Sequence, residues 1–196
     1  MSKKFSNTTA DYLSWDQNIN LIHRLYTDGN YKFSLLIALG SFWGLRISDI
    51  LKLKWDNILD KTEIVIKEKK TGKNREIKIN NKLQLHIKSC QEKIKPSRNE
   101  DFIFLSQKGT VYSVQRINVI FKSIKRKYNL KIGNFSTHSL RKTFGRKIFE
   151  STDKSQSEMA LAKLSIIFNH SSVTITRRYL GITKKEIQET YDLLNF

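Results

Sequence analysis

The apolar residues of this chain recur at helical spacing along most of its length. In the first such segment they are Ile19, Ile22, Leu25 and Tyr26. Apolar residues three or four positions apart form one buried face of an α-helix. Ser14 or Asp16 is suited to cap this helix, and the Asp-Gly-Asn run at 28–30 to end it. Similar patterns predict helices over 32–43, 47–53, 81–94, 113–128, 137–151, 157–168, 173–179 and 184–194.

Apolar and polar residues alternate in two short segments, 63–67 and 76–79, which a turn-forming run at 70–74 separates. This pattern predicts a β-hairpin. The apolar run at 102–105 could add a third short strand. The sequence therefore predicts a mainly α fold with a small antiparallel β-sheet, an α+β protein. The absence of repeats and of Pro/Gly-rich linkers favours one compact domain.

Positive charge dominates the chain and is concentrated in one part of it. There are 36 Lys and Arg against 18 Asp and Glu, a formal net charge of +18. Between residues 102 and 149 no acidic residue occurs. A solvated helix surface normally mixes the two signs of charge. The pattern therefore favours a polyanionic partner, and nucleic acid in particular.

The sequence carries no signal for metal binding, secretion or membrane insertion. Cys90 is the single cysteine, and no Cys/His cluster has metal-ligand spacing. The polar leader at 1–13 lacks the apolar core of a signal peptide, and no segment approaches the roughly 20 apolar residues of a membrane span. We expect a cytoplasmic protein without a bound metal.

Arginine is suited to bind phosphate because it stays charged and presents a planar fork of donors. Arg46 and Arg141 are the candidates for such a phosphate clamp. Asp49 follows Arg46 by three residues and could orient its guanidinium through a bidentate pair. Equally, Asp49 could be a carboxylate that the dipole of a helix N-terminus stabilises.

Three sequence motifs carry a family resemblance. They are Gly-Leu-Arg-Ile-Ser-Asp at 44–49, His-x-x-Arg at 138–141, and Asn-His-Ser-Ser at 169–172 followed by Tyr179. In this order and spacing they resemble the catalytic domain of tyrosine recombinases, or phage-type integrases, from about Ser14 to the C-terminus. The resemblance implies the DNA breaking-rejoining fold of that domain.

The resemblance also implies a role for each motif residue. Tyr179 would attack a phosphodiester, displace the 5′ hydroxyl and leave a 3′-phosphotyrosine. His138 would act near the nucleophile as acid or base, and His170 would donate a hydrogen bond to a phosphate oxygen. With Arg46 and Arg141 as the clamp, the reaction needs neither metal nor nucleotide cofactor. A phenol with a pKa of about 10 needs nearby cations or a base to become a nucleophile.

The hairpin turn holds several lysines, and the resemblance assigns one of them to protonate the leaving 5′ oxygen. We select Lys70 because of its Lys-Thr-Gly context, with Lys73 as the second choice. A lysine that only contacts phosphate is the competing interpretation. The candidate DNA-binding residues are Lys69, Lys73, Arg116, Lys142, Arg146, Arg177 and Arg178.

The chain departs from the family pattern in two ways. The usual Leu-Gly before the second histidine is Phe168-Asn169 here, and Asn tolerates the left-handed conformation that often ends a helix. Most relatives also carry an N-terminal core-binding domain, whereas residues 14–196 here read as the catalytic domain alone. The chain is then either a short member, similar to the fimbrial-switch invertases, or an excised fragment.

The predicted function is site-specific recombination of double-stranded DNA, with accessory DNA-bending proteins as possible partners. The final helix carries Ile187, Tyr191 and Leu194 on one stripe. It would pack within its own chain or, as the resemblance implies, on a neighbouring protomer of a DNA-bound tetramer. The alternatives are strand cleavage and religation similar to that of type IB topoisomerases, and a non-catalytic DNA-binding regulator.

Overall fold

The computed structural model of the protein describes residues 10–70 and 72–192, apart from the side chains of residues 184–186 and 190. Its helices and strands, in chain order, are α1 (Trp15–Thr27), α2 (Tyr31–Trp43), α3 (Ile47–Ile50), α4 (Trp55–Ile58), β1 (Glu63–Lys67), β2 (Asn74–Lys78), α5 (Asn81–Ile94), α6 (Val114–Lys127), α7 (Thr137–Glu150), a short 3₁₀ turn (Lys154–Gln156), α8 (Ser157–Phe168), α9 (Val173–Leu180) and α10 (Ile182–Tyr191). The predicted class, mainly α with one small antiparallel sheet, is confirmed.

Helix α1 begins with a capping box. The Ser14 hydroxyl accepts a hydrogen bond from the Gln17 amide at 3.2 Å, and the Gln17 side chain accepts one from the Ser14 amide at 3.1 Å. These two bonds satisfy amides that the first helical turn would otherwise leave without partners. Of the two predicted caps, Ser14 is therefore the one used.

Helix α2 is buried along most of its length. Leu35, Leu36, Ile37 and Leu39 expose none of their surface to solvent. The helix ends at Gly44, whose φ of 57° lies in the left-handed region that favours glycine. This position matters for the site, because Arg46 follows it directly.

The β-hairpin forms as predicted, with β2 beginning at Asn74 rather than at residue 76. Its two strands pair antiparallel from Glu63 opposite Lys78 to Lys67 opposite Asn74. The inward-facing residues Ile64, Ile66 and Ile77 are buried. The alternate residues of β1, which are Glu63, Val65 and Lys67, face solvent, as expected for a sheet with one covered face.

Three local predictions were wrong. The run at 102–105 forms no strand, and only isolated bridges join Lys54 to Phe102 and Leu105 to Val111. Its apolar character reflects burial, since Ile103 and Phe104 are 1% and 0% exposed. Helix α3 ends at Ile50 instead of 53, and the short helix α4 was not predicted. The final helix begins at Ile182, two residues earlier than predicted, and Leu194 lies outside the described residues.

The chain divides into two compact units, with the boundary between Thr143 and Phe144 inside α7. In the first unit the core gathers residues from α1, α2, α5, α6 and the hairpin. In the second unit the core is smaller and consists of Leu161, Leu164, Phe168, Leu180 and Ile182. The boundary was not predicted from the sequence, because a helix that continues through it carries no linker signal.

The single cysteine lies in the core of the first unit. Cys90 exposes none of its surface, and its Sγ lies 3.6 Å from Nε2 of His86. Burial raises the pKa of the Cys90 thiol to about 12. The thiolate, which is the reactive form of cysteine, is therefore scarce at neutral pH.

No helix among residues 10–70 and 72–192 combines the length and the apolar character that a membrane crossing requires.

Gly40 of α2 and Leu140 of α7 approach too closely for a larger residue at position 40. A Cβ atom on Gly40 would lie 2.5 Å from Cδ1 and 3.0 Å from Cβ of Leu140. Rotating the leucine cannot relieve both contacts. We expect Gly40→Ala to lower the free energy of unfolding by about 1–2 kcal/mol, because overpacking outweighs the gain in helix propensity. Urea unfolding measures this value.

The matched variant is Leu140→Ala, which makes room for the added methyl. The double variant should lose less stability than the sum of the two single variants. An additive double variant, or a Gly40→Ala protein as stable as the wild type, would contradict the close approach.

Candidate active site

Arg46 lies where α2 ends and α3 begins. Gly44 turns the chain through its left-handed conformation, and Arg46 has extended dihedrals, φ −68° and ψ 142°, as the residue that precedes the first turn of α3. The predicted position at a helix junction is confirmed. Because Arg46 is not inside a helix, its backbone direction is set by the turn that the Gly-Leu-Arg motif encodes.

Arg141 reaches the same junction from α7. Its Nη1 donates a hydrogen bond to the carbonyl oxygen of Gly44 at 2.6 Å, and the residue is 4% exposed. The carbonyls at the end of a helix lack partners within the helix, so Arg141 satisfies one of them. The two arginines of the predicted phosphate clamp therefore lie together, within the first unit.

A buried carboxylate that the sequence analysis missed holds Arg46. Oε2 of Glu68 lies 2.5 Å from Nη1 of Arg46, and Oε1 lies 3.7 Å from Nη1 of Arg75. The Glu68 side chain is only 5% exposed. Arg75 also donates a hydrogen bond to the carbonyl of Trp43, the last residue of α2, at 2.5 Å.

A signal for Glu68 was present in the sequence. Ile64, Ile66 and Glu68 are alternate residues, so they face the same side of the hairpin. A carboxylate that continues a buried row needs a cationic partner. The family motifs point to the lysines that follow Glu68 and do not include Glu68 itself.

Asp49 does not form the predicted bidentate pair with Arg46. Its Oδ1 accepts a hydrogen bond from the backbone amide of Lys69 at 3.0 Å. Its Oδ2 is buried and has no hydrogen-bond partner among the described residues. Asp49 therefore anchors the start of the hairpin turn, and Glu68 is the carboxylate that holds Arg46.

The lysines of the hairpin turn face solvent. Lys69, Lys70 and Lys73 are all exposed. The Glu68 amide donates to the Lys73 carbonyl at 3.0 Å, and the Gly72 amide donates to the Glu68 carbonyl at 2.8 Å. These bonds and the Asp49 contact fix the base of the turn while the lysine side chains remain accessible. Lys70 remains our first choice for the general acid and Lys73 the second.

His138 lies in the first turn of α7, three residues before Arg141. Part of the His138 side chain is exposed to solvent. Burial of the rest of the ring lowers its pKa, and the charges of Arg141, Lys142 and Arg46 act in the same direction. An imidazole with a lowered pKa is neutral at physiological pH and can accept a proton.

His170 and Tyr179 lie together in the second unit. Asn169 ends α8 in the left-handed conformation, with φ 47°, so Asn takes the place of the usual Gly as expected. Nδ1 of His170 and Oγ1 of Thr176 are 2.9 Å apart and share a hydrogen bond. The His170 and Tyr179 rings meet edge to face with centroids 5.2 Å apart, and Phe168 contacts both rings. The orientation of the tyrosine is therefore set by packing.

The predicted DNA-binding residues differ in accessibility. Those exposed to solvent are Lys69, Lys73, Arg116 and Arg178. Arg177 pairs with Glu158. Lys142 and Arg146 are 8% and 6% exposed, and Arg146 forms an ion pair with Glu150 at 2.5 Å. In this structure the last two side chains therefore present little surface to a ligand.

Among the residues that the structure describes, no group of three or more His, Cys, Asp or Glu is arranged to hold a metal ion.

Comparison with known families gives an independent result. The model of the phage integrase family matches residues 13–186. A probable integrase/recombinase of Bacillus subtilis, YoeC, is 30% identical over 175 residues, which are 89% of this chain and 91% of YoeC. The tyrosine recombinase XerD of Listeria innocua is 24% identical over 153 residues, which are 76% of this chain and 49% of XerD.

A solved structure with the same fold contains DNA. The integrase of the transposon Tn1549, whose structure was solved in complex with transposon right-end DNA, superposes with a TM-score of 0.71 at 17% sequence identity. The match covers 96% of this chain and 68% of the integrase chain. At this identity the likeness concerns the fold.

The pair between Glu68 and the two arginines should stabilise the first unit. Glu68→Gln keeps the shape of the side chain and removes its charge, so Arg46 and Arg75 lose their carboxylate. We expect a loss of about 1–3 kcal/mol in the free energy of unfolding. Glu76→Gln on the exposed face of β2 makes the same change in net charge and should cost less than about 0.5 kcal/mol. Urea unfolding compares the two, and equal losses would exclude the proposed pairing.

The lowered pKa of His138 should be visible by NMR. Its imidazole should titrate below the ordinary value of about 6.5, with His138→Gln identifying the signal and the urea-unfolded chain as reference. As the pH is lowered, the His138 imidazole is protonated in the unfolded chain before it is protonated in the folded protein. The free energy of unfolding should therefore fall as the pH drops below about 6.5. His138→Gln should make this fall shallower. A midpoint at or above the unfolded value would contradict the assignment.

Proposed function

The chain belongs to the phage integrase family of tyrosine recombinases, and from this premise we propose that it exchanges DNA strands at specific sites through a 3′-phosphotyrosine intermediate. The observation that carries the proposal is that the motif residues gather in two clusters. Arg46, His138 and Arg141 meet at the end of α2, and His170 packs against Tyr179 in the second unit.

The proposed reaction consists of two transesterifications. Oη of Tyr179 attacks the phosphorus, and its proton passes to His138 acting as base. The bond from phosphorus to the 5′ oxygen breaks, and this oxygen takes a proton from Lys70. The 5′ hydroxyl of a second strand then attacks the phosphotyrosine and passes its proton to Lys70. The bond from phosphorus to Oη of Tyr179 breaks, and Oη takes back a proton from His138, so that the new phosphodiester and the free tyrosine are formed.

The proposed catalysis is electrostatic and needs neither a metal ion nor ATP. Negative charge grows on the phosphate oxygens as the tyrosine attacks, and fixed cations that are already in place stabilise it. Arg46 and Arg141 are charged at any physiological pH, and His170 would add a hydrogen bond. The covalent intermediate conserves the energy of the broken bond, so an energy source is not required.

We propose double-stranded DNA as the substrate. The net charge of +18 and the acid-free stretch at 102–149 suit a polyanion, and the Tn1549 integrase structure contains DNA. Phosphate contacts would come from exposed cations such as Lys69, Lys73, Arg116 and Arg178, with Arg177 beside the nucleophile. The relatives compared above come from bacteria, whose DNA lies in the cytoplasm, and this is the compartment that we propose.

We further propose that protomers associate on DNA through α10, as a tetramer and with accessory DNA-bending proteins at some sites. Ile187 and Tyr191 are 54% and 70% exposed, so these two residues do not pack as core of their own chain. An exposed apolar stripe on a helix is suited to a protein partner.

The assignment of residues 14–196 to one catalytic domain, preceded by a leader at 1–13, stays a prediction.

The proposal is tested with nicked DNA substrates that trap the covalent intermediate. We expect the wild-type protein to form a protease-sensitive adduct at its site. Tyr179→Phe should lose the adduct entirely while its Kd for the same DNA changes by less than about twofold, because the hydroxyl contributes to chemistry rather than to phosphate binding. Tyr31→Phe, which removes a hydroxyl from a tyrosine that packs against the Tyr26 ring in the first unit, is the matched control and should form the adduct normally.

The outcomes separate the candidate functions. An adduct that persists in Tyr179→Phe would exclude this residue as the nucleophile. DNA binding without any adduct would favour the non-catalytic regulator. Joining of strands that requires two sites would distinguish recombination from cleavage and religation of a single duplex.

A further inference from the structure

The segment that precedes α1 is hydrogen-bonded to the middle of α7 within the first unit. We call residues 10–14 the strap. The Leu13 amide donates to Oγ1 of Thr143 at 3.0 Å, and the same hydroxyl donates to the Leu13 carbonyl at 3.3 Å. Leu13 and Thr143 are each 1% exposed. Because both groups are buried, water cannot replace either bond at low cost.

The strap has a second attachment before α7 begins. The Asp11 amide donates to the Asn134 carbonyl at 3.0 Å, and Oδ2 of Asp11 accepts from the Asn134 amide at 3.1 Å. A Cβ atom on Gly133 would lie 2.5 Å from this Oδ2. A larger residue at position 133 would therefore push the Asp11 carboxylate away from the Asn134 amide.

The two attachments bracket the residues of the active site that α7 carries. Asn134 lies four residues before His138, and Thr143 lies two residues after Arg141. Between them, the Thr137 amide at the start of α7 donates a hydrogen bond to Oδ1 of Asn118 at 3.0 Å. The strap thus fixes this part of α7 from both ends by contacts outside the catalytic motifs.

We propose that the strap positions His138 and Arg141 for attack on the phosphodiester, so that Leu13, Thr143, Asp11 and Gly133 set the rate of cleavage without contributing to DNA affinity. This inference rests on the proposed function. Phosphoryl transfer by fixed cations depends on placement, and displacements of about 1 Å can cost about a hundredfold in rate. Thr143 and Leu13 are buried, so they act through α7 rather than on the substrate.

The test compares two substitutions of Thr143. Thr143→Val keeps the volume of the side chain and removes both hydrogen bonds to Leu13, whereas Thr143→Ser keeps the hydroxyl. At saturating nicked substrate, we expect Thr143→Val to form the covalent adduct about tenfold more slowly, with a Kd within about twofold of the wild type. Thr143→Ser should restore the rate to within about twofold of the wild type.

Two further variants guard against an effect of misfolding. Gly133→Ala lies outside the buried core and should slow adduct formation by displacing Asp11 from Asn134. Thr152→Val also removes a threonine hydroxyl, one that donates to the Ile148 carbonyl at 2.8 Å, and should leave the rate unchanged. Amide hydrogen exchange over residues 134–143, followed by mass spectrometry, should be faster in Thr143→Val and Gly133→Ala than in the wild type.

The results distinguish failure of this inference from failure of the proposed function. Wild-type protein that forms no adduct would contradict the proposed function, and hydrogen exchange would then decide whether the strap holds α7. Unchanged exchange in Thr143→Val would overturn the inference in either case. The inference would also be overturned if Thr143→Val exchanged its amide hydrogens faster but formed the adduct at the wild-type rate. A change in the Kd of Thr143→Val for DNA, with no change in the rate of adduct formation, would overturn it as well.

Discussion

The carboxyl end of α2 is the feature on which the arginine cluster depends. A helix leaves its last carbonyls without partners and carries partial negative charge at this end. Arg75 donates to the carbonyl of Trp43 and Arg141 to that of Gly44, while Arg46 follows in the next turn. Three guanidinium groups thus meet at one helix terminus. Arg141 comes from α7, Arg75 from the hairpin, and Arg46 from the turn between α2 and α3. Glycine at position 44 makes this possible, because its left-handed conformation ends the helix at this point.

Three neighbouring cations repel one another, and Glu68 offsets part of that repulsion. Its carboxylate lies between Arg46 and Arg75 and is almost fully buried. Asp49 plays a different part, since it binds the Lys69 amide and so places the turn that carries Lys70. In the proposed function, the remaining positive charge around Arg46, Arg141 and Lys142 would be matched by the phosphate of the substrate. The same charges favour the neutral form of His138, so one cluster would supply both the phosphate clamp and a proton acceptor.

Much of the fold could be predicted from the sequence because most helices present a clear apolar face. Ser113, Ser14 and Asn169 mark helix ends by local chemistry, and the structure places them at those ends. The run at 102–105 was misread because burial and strand formation both require apolar residues, and only tertiary structure decides between them. In the site, the motifs located the arginines but not Glu68 or Arg75, whose partners are distant in sequence. Lys142 and Arg146 look like surface cations in a basic stretch, yet both are buried in the folded chain, which local sequence does not reveal.

Because the Cys90 thiol is buried and unreactive, the protein is well suited to site-specific labelling with a thiol-reactive dye. The chain contains one cysteine, and burial leaves its thiol almost entirely protonated at neutral pH. A cysteine introduced on the surface would then be the only thiol that reacts with a maleimide dye. Each protomer could carry a single fluorophore at a chosen position without prior removal of native thiols. If the protein works as proposed, the arrival of subunits, the pairing of two DNA sites and the exchange of strands would be observable as distance changes in individual complexes.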